Sequence, residues 1–137
     1  MNEQMKMQKV KDSYEAFKQG NIPRILGELT PTVDWWVAGQ ADMVPYVGKR
    51  HGGAAVRQFF ADLDRHETVI EFSPREFIAE GDHVIVVGHH RARVKTTGKM
   101  YDSEWVHIFM FEGDRVSSFR EYSDTAAVAA AYRRTEA

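Results

Sequence analysis

The sequence contains no cysteine, which excludes disulfides, thiolate nucleophiles and cysteine-based zinc sites. It also lacks an apolar run of membrane-spanning length, and its opening residues, MNEQMKMQKVKDSYEAF, are too polar for a signal peptide. We therefore expect a cytoplasmic protein. Positive charge is not in excess either, since 18 Lys and Arg residues face 20 Asp and Glu residues. The net charge of -2 gives no reason to expect nucleic acid or a membrane as a partner.

The composition that remains is typical of a folded domain. Of the 137 residues, 43% are hydrophobic, 28% are charged and 12% are aromatic. A chain of this length buries a sizeable core without metal or disulfide cross-links, and it is too short for two such cores. We expect one domain over residues 1–137, with a small molecule or another protein as its partner.

Apolar residues at helical spacing predict helices in the first half of the chain. Val10, Tyr14 and Phe17 recur at i, i+4 and i+7 and predict a first helix that ends near Gly20. The segment NIPRILGEL favours a second helix, which Pro31 ends. TVDWWVAG is rich in strand-forming residues, and AAVRQFFADL favours a third helix. The connection between these last two segments, DMVPYVGKRHGG, is expected to be irregular, with its histidine in solvent.

From Thr68 onward, polar and apolar residues alternate. Breaks at AEGDH, TTGK and FEGDR are typical of hairpin turns. They separate four predicted antiparallel strands, over residues 69–79, 83–95, 100–111 and 115–123. Asp124 is then well placed to cap a short closing helix, AAVAAAYRR. This order predicts an α+β domain in which three N-terminal helices pack on a curved, mostly antiparallel β-sheet.

The segments LTPTVDWWVAG, YVGKRHGGAAVRQFFADL and GDRVSSFREYSDT, in this order of elements, resemble the NTF2-like superfamily. Within it, the chain is similar to the SnoaL-like, ketosteroid-isomerase-related proteins. The resemblance covers nearly the whole chain and implies a cone-shaped cavity between sheet and helices, filled by a small, mostly apolar ligand. It supplies neither a cofactor nor a metal. It also implies a homodimer formed through the outer face of the sheet, with His89, Arg91 and Arg93 near the interface.

Three titratable residues on the predicted strands are candidates for acid–base chemistry. Because side chains alternate, His89 and His90 point to opposite faces, and a turn centred in TTGK places His90 on the face of Trp105 and His107. His107 falls where ketosteroid isomerases have an oxyanion-hole acid, and His90 falls near a catalytic acid of epoxide hydrolases. The segment FREYSD is similar to one in limonene-epoxide-hydrolase-like proteins, whose acidic residue, matching Glu121, activates water.

Whether Glu121 shares a face with His107 depends on the turn between the last two strands. A two-residue turn, Gly113–Asp114, puts them on opposite faces, whereas a three-residue turn over residues 112–114 puts them on the same face. The resemblance favours the second arrangement. The alternative role for Glu121 is a surface ion pair with Arg91, Arg93 or Arg120 across the sheet.

Aromatic residues are expected to form most of the cavity wall. Trp35 is predicted to face inward, with Asp34 and Trp36 facing away, and it stands where ketosteroid isomerases keep a general-base Asp. Tyr14 lies one residue from the position of their tyrosine donor, where this chain has Ser13, so a packing role is expected and steroid isomerisation is not. The residues predicted to contact the ligand are Tyr14, Trp35, Phe59, Trp105, Phe109 and Phe119.

Two functions fit this sequence. The first is a cofactor-independent acid–base enzyme for an apolar or aromatic carbonyl compound, in which Glu121 or His107 moves the proton in an isomerisation, cyclisation or hydration. The second is a module of the same fold that binds a ligand without converting it, or that serves dimerisation. A metal held by His90, His107 and Glu121 is not expected, because no spacing in the sequence enforces such a site.

Overall fold

The computed structural model describes residues 1–134, which form an α+β fold. The helices and strands are α1 (Glu3–Lys18), α2 (Ile22–Gly27), β1 (Leu29–Val37), β2 (Gly48–His51), α3 (Gly53–His66), β3 (Glu67–Glu80), β4 (His83–Val94), β5 (Met100–Glu112), β6 (Arg115–Ser123) and α4 (Thr125–Tyr132). The six strands form one sheet in the order β2-β1-β6-β5-β4-β3. All neighbours are antiparallel except β1 and β6, so the predicted mostly antiparallel sheet with three N-terminal helices is confirmed.

Side chains of short polar residues cap the starts of α1, α2 and α4. The side chain of Asn21 accepts a hydrogen bond from the backbone N–H of Arg24, and Pro23 follows in the first turn of α2. Asp124 accepts from the N–H of Ala127 and so caps α4, as its position before the alanine run predicts. These caps satisfy backbone donors that a helix start leaves without intrahelical partners.

The concave face of the sheet carries the core. Along β5 every second residue from Tyr101 to Phe111 is buried, and the intervening residues face outward. Fully buried valines of β4, at positions 84, 86 and 94, lie on the same inner face. Helices α1 and α3 pack across this face and leave a space among the aromatic side chains, which becomes the candidate site.

The segment DMVPYVGKRHGG is less irregular than expected. Its last part forms β2, an edge strand that pairs with β1 through residues 48–51 and 34–37. His51 lies on this strand, where its Nδ1 is 2.8 Å from Oδ1 of Asp34. Both side chains are more than two-thirds exposed, so His51 remains a solvated residue, although on a strand and not in a loop.

None of the helices within residues 1–134 is both long enough and apolar enough to cross a membrane.

Candidate functional site

The turn between β5 and β6 contains two residues, Gly113 and Asp114, because the residues on either side pair with each other. Gly113 has a φ of 62°, a conformation that glycine adopts without strain. The predicted three-residue turn is therefore wrong. In a regular ladder, this shorter turn would place Glu121 and His107 on opposite faces of the sheet.

A bulge at Ser117 reverses that outcome. The register shifts by one residue there, so that the buried residues Val116 and Phe119 are separated by two residues instead of one. Beyond the bulge, His107 pairs directly with Glu121. The two side chains share the concave face, as expected, but the bulge and not the turn is the reason.

Glu121, His107 and Tyr14 form a hydrogen-bonded chain. Nε2 of His107 lies 2.7 Å from Oε1 of Glu121, and Nδ1 lies 2.9 Å from the Tyr14 hydroxyl. Burial, helped by the negative charge of Glu121, raises the pKa of Tyr14 well above its ordinary value, so its hydroxyl keeps its proton. Both ring nitrogens of His107 have a hydrogen-bond partner when Tyr14 donates to Nδ1 and Nε2–H donates to Glu121. Tyr14 thus has a polar role besides the packing that its sequence position suggests.

The carboxylate of Glu121 is held in its charged form. Burial alone raises the pKa of this carboxyl, but the hydrogen bond from His107, together with electrostatic attraction to His107 and then to His90, outweighs burial and lowers the pKa. About 18% of the Glu121 side chain stays exposed, and the residue lines the cavity. An ionised carboxylate therefore faces whatever occupies this space.

Trp105 lies behind this chain instead of on the cavity wall, which corrects its predicted ligand contact. Its ring stacks on His107 at a centroid distance of 3.9 Å and on Phe72 at 5.2 Å. Only 1% of the residue is exposed. Gly88 on the neighbouring strand leaves the room that this ring fills, since a β-carbon there would lie 2.3 Å from Cζ2 of Trp105. Trp105 therefore fixes the plane of the His107 ring.

The cavity has a volume of about 100 Å³ and a mainly aromatic wall. Among the residues predicted to contact a ligand, five line it, namely Tyr14, Trp35, Phe59, Phe109 and Phe119. Trp35 faces inward as predicted, with 5% of the residue exposed, and stacks on Phe119 at 4.0 Å. An open groove between α2, α3 and β3 shares part of this wall, including Phe17 and Phe60.

His90 also lines the cavity, but its hydrogen bond leads to a different group. Its Nε2 lies 3.1 Å from the hydroxyl of Tyr101, which donates at 2.5 Å to Oε1 of Glu67. Burial lowers the pKa of His90, which favours the neutral ring. The cavity thus brings all three predicted acid–base residues to one wall, with His107 and Glu121 hydrogen-bonded to each other and His90 in a second cluster.

The arginines considered as partners of Glu121 lie elsewhere. Arg91 is on the outer face of the sheet, where its Nε donates to Asp102 at 3.2 Å. Nη1 of Arg120 lies 3.4 Å from the Tyr122 hydroxyl, also on the outer face. Within residues 1–134, the side chain that contacts the Glu121 carboxylate is His107 on the inner face, so the surface ion-pair interpretation does not hold.

Comparison with known proteins identifies the family. The SnoaL-like domain family matches residues 10–119. This chain belongs to the SnoaL-like family. Among curated proteins, none matches the sequence significantly.

Solved structures with the SnoaL-like fold match over nearly the full chain. An NTF2-like protein from Burkholderia xenovorans LB400 is 31% identical, with a TM-score of 0.88 and coverage of 97% of this chain and 99% of that one. An NTF2-like protein of unknown function from Burkholderia pseudomallei K96243 is 30% identical, with a TM-score of 0.85 and coverage of 96% and 98%. TerC, co-crystallised with polyporic acid, is 23% identical, with a TM-score of 0.84 and coverage of 93% and 98%.

Three residues of the SnoaL-like cavity escaped the sequence analysis. Glu67, Tyr101 and Tyr46 all line it, and each is at least 95% buried. Alternation along β5 does place Tyr101 on the face of His107, a signal that was available in the sequence. Glu67 gave no such signal, since it lies at the junction of α3 and β3.

No group of three or more His, Asp or Glu side chains within residues 1–134 is arranged to hold a metal ion. His90 is hydrogen-bonded to Tyr101, whereas His107 and Glu121 are hydrogen-bonded to each other.

Proposed function

We propose that this SnoaL-like protein is a cofactor-independent acid–base enzyme acting on a small apolar or aromatic carbonyl compound. The observation that carries the proposal is the hydrogen-bonded chain of Tyr14, His107 and Glu121, which ends in an ionised carboxylate on the wall of an aromatic cavity. Buried titratable groups that converge in a cavity are a frequent feature of sites for proton transfer. The co-crystallisation of TerC with polyporic acid supports a small organic molecule as the occupant.

Glu121 is the base in this proposal. It takes a proton from the carbon next to the substrate carbonyl, and the electron pair of the broken C–H bond forms a C=C bond as the carbonyl oxygen becomes negative. Filling the cavity removes water from the carboxylate, which favours its neutral form and makes it a stronger base at that moment. Return of the proton to another carbon completes an isomerisation. In a cyclisation, the enolate carbon attacks a second carbonyl, and the oxygen of that carbonyl takes the proton back from Glu121.

His107 and Tyr14 position the base. The Nε2–H of His107 fixes the carboxylate through Oε1 and leaves the second oxygen for the substrate, while Tyr14 holds the imidazole tautomer. Stacking on Trp105 keeps the ring in plane. Since these contacts exist before a ligand enters, the proton acceptor needs little rearrangement during the reaction.

Exchange of hydrogen for deuterium tests the proposal without knowledge of the natural substrate. A panel of aryl ketones, including acetophenones and 2-tetralone, is incubated with the protein in D₂O, and label beside the carbonyl is followed by NMR. We expect faster exchange than in buffer for at least one ketone, and a loss of roughly 10²–10⁴-fold in Glu121→Gln, the range for general acid–base catalysis.

Glu112→Gln is the matched control, because Glu112 is an exposed residue beside the β5–β6 turn. It should exchange label at the wild-type rate. Exchange no faster than in buffer across the panel, or Glu121→Gln as active as the wild type, would contradict the proposal and favour a module that binds its ligand without converting it.

A further inference from the structure

A second polar cluster lines the cavity apart from the pair of His107 and Glu121. Its centre is Glu67, of which 3% is exposed. Tyr101 donates to Oε1 of this carboxylate at 2.5 Å, and Tyr132 donates to Oε2 at 2.6 Å. His90 completes the cluster through its 3.1 Å contact with the Tyr101 hydroxyl. Glu67, Tyr101 and His90 line the cavity, whereas Tyr132 approaches the carboxylate from α4.

The fold alone gives little reason for this cluster. A carboxylate in an aromatic core is destabilising unless its hydrogen bonds compensate for lost hydration, and an apolar side chain would fill the space without that cost. The sheet is already paired around it, since Glu67 opposes Val94 in the β3–β4 ladder. Polar groups retained at a cavity wall are more simply explained by contact with a polar part of the ligand.

The two polar centres lie at different positions along the cavity. Tyr101 and His107 are both inward-facing residues of β5, six positions apart. After burial and Glu67, the charge of Glu121 also raises the pKa of Tyr101, so the two centres are close enough for one small ligand to contact both. The rest of the cavity wall is mainly aromatic, with Phe72 and Phe109 among its members.

The hydroxyl of Tyr101 is prepared to accept a hydrogen bond. Burial, followed by the charge of Glu67, raises the pKa of Tyr101, so the group stays protonated and gives its proton to the carboxylate. The Tyr101 proton is donated to Glu67 at 2.5 Å, which leaves two lone pairs on the oxygen. His90 contacts this oxygen at 3.1 Å, whereas the Tyr46 hydroxyl lies at the long distance of 3.4 Å. A ligand hydroxyl that approaches more closely than Tyr46 is the complementary group for the second lone pair.

We propose that Glu67, Tyr101 and His90 form a second ligand-binding centre, and that the ligand is an aromatic or apolar compound with two oxygen functions. One oxygen-bearing end meets Glu121, and a hydroxyl at the other end donates to Tyr101. The assignment of the first end rests on the proposed function, while the second centre stands on the geometry of its own cluster. The substrate class is therefore a hydroxylated carbonyl compound, and a hydrocarbon ketone with one oxygen is a poorer fit.

Binding of matched aromatic alcohols tests this centre. The probes are three pairs of increasing length: hydroquinone with phenol, 2,6-dihydroxynaphthalene with 2-naphthol, and 4,4′-dihydroxybiphenyl with 4-hydroxybiphenyl. Dissociation constants come from NMR titration of the whole protein. For the pair whose length fits the separation of the centres, we expect the diol to bind roughly fivefold more tightly, the effect of one net hydrogen bond.

Tyr101→Phe and Tyr132→Phe separate ligand binding from a structural role. Each variant removes one tyrosine hydroxyl that donates to Glu67, but of the two tyrosines only Tyr101 lines the cavity. Tyr101→Phe should abolish the preference for the diol, and Tyr132→Phe should preserve it while both lower thermal stability. Glu67→Gln is a second variant, which should weaken the preference by loosening the hold on the Tyr101 proton.

The proposal would be overturned if Tyr101→Phe still preferred the diol, or if both tyrosine variants lost the preference equally. In either case the cluster would only hold α4 against the sheet. Absence of any preference for a diol at all three lengths would overturn it too. Glu121→Gln separates this result from the proposed function. If that variant keeps the diol preference without affecting deuterium exchange, the second centre stands and the catalytic proposal fails.

Discussion

At the scale of single residues, the candidate site depends on the orientation of one imidazole. His107 is 5% exposed and has a neighbour on each side: Tyr14 at Nδ1, Glu121 at Nε2 and the face of Trp105 against its ring. These contacts select both its tautomer and its plane. A change that displaces Trp105 therefore alters the site without touching a proton-bearing group.

Gly88→Ala makes that change. A β-carbon at this position would lie 2.3 Å and 2.5 Å from the Trp105 ring and 2.7 Å from the carbonyl oxygen of Ser73, which leaves no direction of relief. We expect the free energy of unfolding to fall by about 2 kcal/mol or more, the effect of overpacking a closed core. Urea denaturation followed by tryptophan fluorescence measures it.

Gly53→Ala is the control for Gly88→Ala. A β-carbon at Gly53 meets no atom within 4 Å, and the residue begins α3. Its substitution should change stability by less than about 1 kcal/mol. If both alanine variants were equally stable, the closeness of Gly88 to Trp105 would have no energetic weight, and Trp105 would not be what fixes His107.

At the scale of helices and strands, Glu67 joins three parts of the fold. It begins β3, accepts a hydrogen bond from Tyr101 of β5, and accepts another from Tyr132 at the end of α4. Burial raises the pKa of this carboxyl above its ordinary value of 4.5, against the lowering effect of its tyrosine donors. The attachment of α4 to the sheet is therefore linked to pH.

The sign of this linkage follows from the raised pKa. Above pH 4.5 the unfolded chain loses the Glu67 proton while the folded chain still holds it, so stability falls as pH rises through the pKa of the folded state. Glu67→Gln cannot lose a proton, and its stability relative to the wild type should increase from pH 4 to pH 8. Chemical denaturation across that range provides the measurement.

Glu67→Gln removes a negative charge from β3 as well as a buried carboxyl group, and a control variant must separate the two effects on stability. Glu76→Gln changes the charge in the same way at an exposed position of β3. A pH-dependent gain confined to Glu67→Gln agrees with the prediction. The prediction fails if the difference in free energy of unfolding between Glu67→Gln and wild type does not change with pH. It also fails if Glu76→Gln shows the same gain. Either result would show that burial of Glu67 does not govern the pH dependence of stability.

Elements with strong periodicity could be predicted from the sequence, and those without it could not. The period-two pattern after Thr68 predicted the four long strands to within about two residues, and the alternation is clearest in β4 and β5, where one face is buried. The polar strand β2, Gly48–His51, has no alternation of apolar and polar residues from which a strand could be predicted. The bulge at Ser117 lies in a Ser-Ser pair whose composition fits a regular strand equally well.

For the same reason, the candidate site could be predicted only in part from the sequence. Inward-facing positions follow from alternation, so His107 and Trp35 were placed correctly. Distances between strands depend on register, and register depended on a bulge that the sequence does not mark. The meeting of Glu67 with Tyr132 joins positions 65 residues apart, and no local pattern encodes such a contact.

At the scale of the whole molecule, the outer face of the sheet is partly apolar. Ile85 pairs with Ile108 and Val87 with Val106, and all four face away from the helices. Met110 extends this patch, with 42% of the residue exposed. Asp102, which contacts His89 at 3.1 Å and forms an ion pair with Arg91, borders it on one side. A central apolar patch with a polar rim is the arrangement of an interface between subunits.

A homodimer through this face remains our prediction, and Ile108→Glu is its test. Ile108 lies at the centre of the patch. In a dimer of the variant, the two introduced glutamates would lose their hydration and repel each other. We therefore expect the variant to be monomeric at micromolar concentration and the wild type to have twice the mass of one chain. Met5→Glu on α1 is the control, since Met5 is 52% exposed outside this face. Sedimentation equilibrium distinguishes the outcomes. A monomeric wild type refutes the dimer, and dissociation by Met5→Glu alone would move the interface to the helices.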